Sequence, residues 1–436
     1  MSDPTTSDPA ASWSFETKQI HAGQAPDPTT GAVALPIYQT TAYAFRDTDH
    51  AAALFALAEP GNIYSRIMNP TNDVVEQRLA ALEGGVAALL VASGQAATTY
   101  ALLNVAESGD HVVASPSLYG GTYNLFTQTL PKLGVQVSFV SDPDDLEEWR
   151  AAIQPNTKAF FGETIANPRN DVLDVPGVAE VAHAAGIPLI VDNTVATPFL
   201  IQPLALGADV VVHSATKYLG GTGTTIAGAV VDGGTFDWTS GRFPGFTTPD
   251  PSYNGVVFAD LGAPAYALKM RVQLLRDMGA ALSPFNAWLI NQGLQTLSLR
   301  MERHVANAQQ VAEFLSARED VESVAYAGLP SSPWFDRAQK LLPKGAGAVL
   351  AFEIAGGVEA GKRFVNALQL HSHVANIGDV RSLVIHPAST THAQLSPEEQ
   401  LSAGVTPGLV RLAVGIEGIE DILGDLRTGF EAAAQA

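Results

Sequence analysis

Two residues that end apolar runs carry the most chemistry in this 436-residue sequence. IPLIVDN sets Asp192 directly behind an apolar stretch, and HSATKYLGG sets Lys217 just past a second one. A carboxylate in such a place must find a partner, because burying it alone is costly. Read singly, Asp192 is equally a cap or turn carboxylate, and Lys217 equally a surface lysine. The lysine keeps suggestive company, however: Ser214 and Thr216 flank it, and Gly220, Gly221 and Gly223 permit close backbone approach. VASGQAAT places Ser93, Gly94 and Gln95 ahead of a helix, a turn whose backbone N–H groups can cradle a phosphate or can be only a turn. Tyr119, in PSLYGGTYN, offers an aromatic face at the end of another run. GLVRLAVG is apolar apart from Arg411, and an arginine inside a strand needs an anion or a buried acid.

Taken together, these groups point to pyridoxal phosphate. Lys217 would condense with the aldehyde, Asp192 would keep the pyridine nitrogen protonated, and Ser214, Thr216 and the Gly94–Gln95 turn would receive the phosphate. Tyr119 would stack on the ring. Metal chemistry has weaker support: His371 with His373, and His386 with His392, form pairs without an obvious third ligand. There is no cysteine, which excludes disulfides, thiolate metal sites and cysteine nucleophiles. The 24 Lys and Arg stand against 44 Asp and Glu, a net charge of -20 that argues against nucleic acid as a partner. With only 16% charged residues, part of the surface is expected to face another subunit. No apolar run approaches the length of a membrane span and the N-terminus has no signal-like core, so a cytoplasmic protein is expected.

The elements that must position these residues follow from periodicity. Short Val- and Ile-rich runs at 86–93, 111–115, 135–140, 158–163, 187–193, 208–214 and 225–231 alternate with helical stretches. Such runs describe strands buried on both faces, hence an α/β domain built on a mainly parallel seven-stranded sheet. Ligands in such sheets bind beyond the carboxyl ends of the strands, where Asp192 and Lys217 stand. Residues 1–65 read as an irregular N-terminal arm whose Ile37, Tyr38, Tyr43 and Phe45 favour docking on a neighbouring subunit. Residues 66–295 read as the large domain, and 296–436 as a smaller C-terminal α+β domain with helices near 356–370, 396–403 and 418–433. The breaker-rich stretch 233–262 reads as an ordered functional loop.

The sequence also resembles the Cys/Met-metabolism family of pyridoxal-phosphate enzymes from about residue 15 to the C-terminus. The resemblance rests on YSRIMNPT (64–71), ASGQAA (92–97), PSLYGGTYN (116–124), ETIANP (163–168), IVDNTVATPF (190–199), VVHSATKYLGG (211–221) and HPASTTH (386–392). It implies the aspartate aminotransferase-like fold, fold type I. By that resemblance Lys217 carries the cofactor, Asp192 pairs with its ring nitrogen, and Tyr119 stacks on it and takes part in proton transfer. Gly94, Gln95, Ser214 and Thr216 match phosphate positions. Asn167, Ser382 and Arg411 resemble the residues that hold the cofactor oxygen and the substrate carboxylate. Tyr64 and Arg66 match a pair that reaches the neighbouring subunit's phosphate, which implies a catalytic dimer and a homotetramer made of two such dimers.

Within the family the arm text, the 233–262 insertion and Gln95 lean toward the O-acetylhomoserine sulfhydrylase branch. That branch replaces the acetate of O-acetyl-L-homoserine with sulfide or methanethiol, giving homocysteine or methionine. Cystathionine gamma-synthase and methionine gamma-lyase are the alternatives. The missing cysteine near LYGGTYN weakens the lyase reading, and Ala166 in ETIANP departs from the glycine common there. A scaffold without catalysis is disfavoured because Lys217, Asp192 and Arg411 are all present.

Overall fold

The computed structural model describes residues 12–391, 393, 396, 398 and 404–435. The seven apolar runs become β1 (Ala87–Val91), β2 (His111–Ala114), β3 (Gln136–Phe139), β4 (Thr157–Glu163), β5 (Leu189–Asp192), β6 (Val210–His213) and β7 (Gly228–Asp232). They form one sheet in the order β1-β7-β6-β5-β4-β2-β3. The five strands β6, β5, β4, β2 and β3 run parallel to one another, while β7 is antiparallel to both β1 and β6. Alternation along a strand sends successive side chains to opposite faces. On β5, Ile190 therefore packs beside Ala97 and Tyr100 of helix Gly94–Leu103, while Leu189 and Val191 pack toward helix Val175–Ala184. Asp192 follows the parity of Ile190, on the side of helix Gly94–Leu103.

The C-terminal sheet holds β8 (Val321–Ala325), β9 (Val349–Ile354), β10 (Ser372–His373), β11 (Leu383–Ile385) and β12 (Leu409–Ala413), in the order β10-β11-β12-β9-β8. Helices Gly357–Ala367 and Ile419–Ala433 cover it. Its core is continuous with that of the large sheet: Val211, Ala229 and Val231 belong to the same apolar cluster as Phe352, Val410, Leu412 and Phe430. A helix expected near 396–403 falls mostly outside the described residues. Among the described residues, no helix is long and apolar enough to cross a membrane.

Two readings need correction. The arm is not irregular throughout, since it holds helix Phe15–His21, capped by Ser14, and helix Thr48–Phe55, capped by Asp47. The first docks on its own chain: Gln19 is buried and exchanges hydrogen bonds with Ser298, its amide donating at 2.9 Å and its oxygen accepting the Ser298 N–H at 3.0 Å. Most of the arm's exposed apolar groups lie in its later part, among them Val33, Ile37, Phe45 and Phe55, with Ile20 exposed on the first helix. The 233–262 stretch is ordered as expected, but none of it lines the cavity beside Lys217. Trp238, Phe243, Phe246, Tyr253 and Phe258 are buried, and Trp238 stacks on Phe246 with ring centroids 4.4 Å apart. The stretch packs on the core of this chain, with aromatic contacts holding what has little regular backbone.

Candidate active site

A cavity of about 250 Å³ opens at the carboxyl ends of β4, β5 and β6, where the large sheet meets the C-terminal domain. Its wall includes Gly94, Gln95, Tyr119, Asn167, Asp192, Ser214, Thr216, Lys217 and Arg411, drawn from segments over 300 residues apart. Glu163, Thr194, Ile226 and Asn376 also line it.

One end is built of backbone. Ser93 caps helix Gly94–Leu103, its hydroxyl accepting the Ala96 N–H at 3.1 Å. The first N–H groups of a helix have no partner within it, so those of Gly94 and Gln95 are donors at the positive end of the helix dipole. The three segments that meet here do so with almost no clearance. A Cβ on Gly94 would lie 2.6 Å from the Ser214 Cβ, and one on Gly228 would lie 2.0 Å from the Ser93 carbonyl oxygen. Glycine at both positions is what lets the cradle close. Thr216 contributes differently from Ser214: its hydroxyl donates to the Ala227 carbonyl at 3.1 Å and accepts the Ala227 N–H at 3.0 Å. That hydrogen is committed to the loop, and the same one cannot also serve a phosphate.

The floor is acidic. Register pairs Glu163 of β4 with Asp192 of β5, so two carboxylates stand side by side. Burial pushes the Asp192 carboxyl above its ordinary pKa, opposed by its hydrogen bonds with Thr194, whose N–H donates at 2.8 Å. Burial and then the Asp192 charge push Glu163 well above the usual carboxylate range. A cationic ring nitrogen beside Asp192 would reverse that cost, because an opposite charge favours the ionised form.

The other wall is cationic. β12 alternates, sending Val410 and Leu412 into the core and Arg411 to the cavity. Arg411 donates to the Asn376 carbonyl at 3.0 Å and to Asn167 Oδ1 at 3.4 Å, while its buried Nε has no partner among the described residues. Burial lowers its pKa to about 10. Lys217 Nζ donates to Asn376 Oδ1, and burial together with the Arg411 charge lowers the pKa of its amine. The donor set therefore fits pyridoxal phosphate: a backbone cradle for the phosphate, a lysine for the aldehyde, a carboxylate for the ring nitrogen, and an arginine with a spare donor for a carboxylate.

Three expected residues do not join the cavity of this chain. Ser382 is fully buried elsewhere: its hydroxyl donates to Glu417 at 2.9 Å and accepts the Gly415 N–H at 2.9 Å. It immediately precedes β11 and faces the turn after β12, whereas the cavity is met by the preceding turn at Ala375, Asn376 and Ile377. Tyr64 and Arg66 are also absent from its lining. Arg66 donates to the Arg276 carbonyl, and its guanidinium lies 5.4 Å from the Tyr64 ring centroid. Sequence reasoning missed Asn376 and Glu163. The first had only an Asn-Ile-Gly turn to mark it. The second, at the head of ETIANP, became visible only when β4 was paired with β5. Of the histidines considered as metal ligands, His371 Nδ1 lies 2.7 Å from Asp425, His386 bonds Ser389 and the Pro407 carbonyl, and His392 lies outside the described residues.

Comparison with known proteins identifies this arrangement. The family model for Cys/Met metabolism PLP-dependent enzymes matches residues 16–431. The chain belongs to that family. It has the family's fold, fold type I, with a mostly parallel large-domain sheet and a smaller C-terminal α+β domain, and it is a pyridoxal-phosphate-dependent enzyme. An O-acetyl-L-homoserine sulfhydrylase of Corynebacterium glutamicum is 58% identical, covering 97% of this chain and 98% of that protein. A homocysteine synthase of Schizosaccharomyces pombe is 53% identical, covering 98% of this chain and 100% of that protein. A crystal structure of a putative O-acetylhomoserine (thiol)-lyase from Campylobacter jejuni superimposes with a TM-score of 0.93 at 43% identity, covering 96% of this chain and 100% of that one. That structure contains N'-pyridoxyl-lysine-5'-monophosphate.

Proposed function

We propose that the protein is an O-acetyl-L-homoserine sulfhydrylase of methionine biosynthesis. It would replace the acetate on Cγ of O-acetyl-L-homoserine with sulfide to give L-homocysteine and acetate, or with methanethiol to give L-methionine. The observation that carries this reading is a half-buried arginine with a buried, spare Nε donor across one cavity from a half-buried lysine, in a chain aligned almost end to end with sulfhydrylases.

Pyridoxal phosphate, when bound, supplies an aldehyde for amines and a protonated ring that accepts electron density. Arg411 holds the substrate carboxylate through charge-assisted hydrogen bonds, with Asn167 beside it. Lys217 Nζ takes the proton from the substrate Cα once its own bond to the cofactor is exchanged, and its lowered pKa leaves the amine more readily neutral at working pH. Asp192 holds the charge of the ring-nitrogen proton. Tyr119 covers the ring, and Gly94, Gln95, Ser214 and the Thr216 loop receive the phosphate. No protein nucleophile is required for sulfur, which agrees with a cysteine-free chain.

The test is to supply O-acetylhomoserine with sulfide, methanethiol or cysteine in turn and to identify the products. Homocysteine from sulfide is the expected result. Cystathionine from cysteine as the principal product would turn the assignment to a cystathionine gamma-synthase, and release of methanethiol from methionine to a lyase.

We further propose a cytoplasmic homotetramer of two catalytic dimers, in which Tyr64 and Arg66 serve the phosphate of the neighbouring subunit. The exposed apolar groups of the later arm support this, as does the absence of both residues from their own cavity. Arg66→Ala and Lys217→Ala homomers are then both expected to be poorly active. Mixing them by subunit exchange is expected to restore activity to about a quarter of wild type, because half of random dimers are mixed and half of their sites are intact. Verified exchange without recovery would confine Arg66 to its own chain.

A further inference from the structure

We propose that Glu163 is a positioning residue whose carboxylate, by holding the Tyr119 N–H, fixes the Tyr119 phenol over the cofactor ring. Tyr119 has little else to hold it. It precedes a helix of only five residues, Gly120–Asn124, makes no side-chain cap there, and leaves about half its surface exposed. Its ring lies over Gly121, where an added Cβ would come within 2.5 Å of Tyr119 Cε1. The firm attachment is the backbone, where the Tyr119 N–H donates to Glu163 Oε1 at 2.6 Å across 44 residues of chain.

Glu163 suits this task for three reasons. It is 7% exposed, so water does not compete for its oxygens. It ends β4 in register with Asp192 on β5, so whatever it holds is referenced to the residue that meets the ring nitrogen. It also stands four residues before Asn167, which lines the same cavity and is a partner of Arg411. The end of β4 thus leads both to the residue over the ring and to the residue beside the substrate carboxylate. An arrangement of this kind controls rate through geometry, since a displacement of about 1 Å in a catalytic group can cost about 100-fold.

The inference rests on the proposed reaction for its kinetic readout, so a second readout is independent of substrate. Visible circular dichroism of the bound cofactor reports how the ring is held. Four chains are compared as holoenzymes: wild type, Glu163→Ala, Tyr119→Ala and the double variant, each with cofactor content and unfolding temperature measured. Glu163→Ala removes the acceptor of the Tyr119 N–H and is expected to lower kcat by about 10–100-fold with KM within about threefold. In the Tyr119→Ala background the same change is expected to cost less than about threefold further, because coupled residues are not additive. The visible dichroism should change in Glu163→Ala and not change further when the substitution is added to Tyr119→Ala. Glu163→Asp keeps the carboxyl group but withdraws the acceptor by one methylene, and is expected to behave as Glu163→Ala does. Wild-type kinetics in Glu163→Asp, or an equal cost with and without Tyr119, overturns the proposal. So does failure of both single variants to hold the cofactor, which would make Glu163 a structural residue. If wild type itself turns over no O-acetylhomoserine, the proposed substrate fails, and the dichroism alone decides on Glu163.

Discussion

Lys217→Ala is expected to lower turnover of O-acetylhomoserine with sulfide by about 10⁴-fold, the upper range for loss of a positioned acid–base group. The amine does two things that no neighbour duplicates. In the proposed reaction it holds the cofactor covalently and carries a proton at the substrate Cα. The nearest other cation, Arg411, stays protonated even with its pKa lowered to about 10, and cannot act as a base at neutral pH. Truncation should leave the fold intact, since among the described residues the Lys217 side chain makes one hydrogen bond, to Asn376. Steady-state kcat is the measurement, accompanied by the visible spectrum and by cofactor release on denaturation. The wild type should retain a borohydride-reducible link that the variant lacks. Full turnover by Lys217→Ala would dismantle the assignment of the site.

Much of this site was legible in the sequence because its residues terminate strands. Asp192 and Lys217 each follow a continuous apolar run, and a polar residue there has few places to go except the carboxyl edge of the sheet. Arg411 stood out for a related reason, as the one charge within a strand whose alternate residues face a core. Legibility failed where position depends on pairing between distant segments. Glu163 and Asp192 are 29 residues apart, and only the β4–β5 register sets them side by side. Asn376 meets Lys217 across 159 residues. Ser382 was misplaced because its run, SLVIHPA, reads as a strand whichever neighbour it faces, and the turn that meets the cavity lies just before it.

The same physics explains the fold. The seven large-domain runs were recognisable because strands buried on both faces need unbroken apolar sequence. FETKQIH was not, because seven residues give less than two full turns and too little apolar stripe to show a period. Its helix is made by the Ser14 cap and by docking of Gln19 against Ser298. The 233–262 stretch reads from its glycines, prolines and aromatics as an ordered loop, and the order comes from the aromatics: Trp238 and Phe246 stack with Tyr266 away from the cavity.

Asp192→Asn is the second substitution expected to have a large effect, about 10²–10³-fold in kcat, the scale on which removing one preorganised electrostatic partner acts. The change is close to isosteric, and an asparagine oxygen can still accept the Thr194 N–H that Asp192 Oδ1 accepts now. The backbone should therefore stay in place, and an unchanged unfolding temperature of the apoenzyme checks this. What is lost is the charge. A neutral amide does not pay for a proton on the pyridine nitrogen in a buried site, so the ring nitrogen should be deprotonated at neutral pH and the ring a poorer electron sink. Glu163 cannot substitute, because its Oε1 is turned to the Tyr119 N–H. Its pKa should instead fall once the neighbouring carboxylate is gone, since the Asp192 charge is one of the causes that raise it. The cofactor should still bind through Lys217 and the phosphate cradle, giving a coloured but slow enzyme. Wild-type turnover in Asp192→Asn at full cofactor occupancy would mean that another group balances the ring nitrogen, and would remove Asp192 from the chemistry.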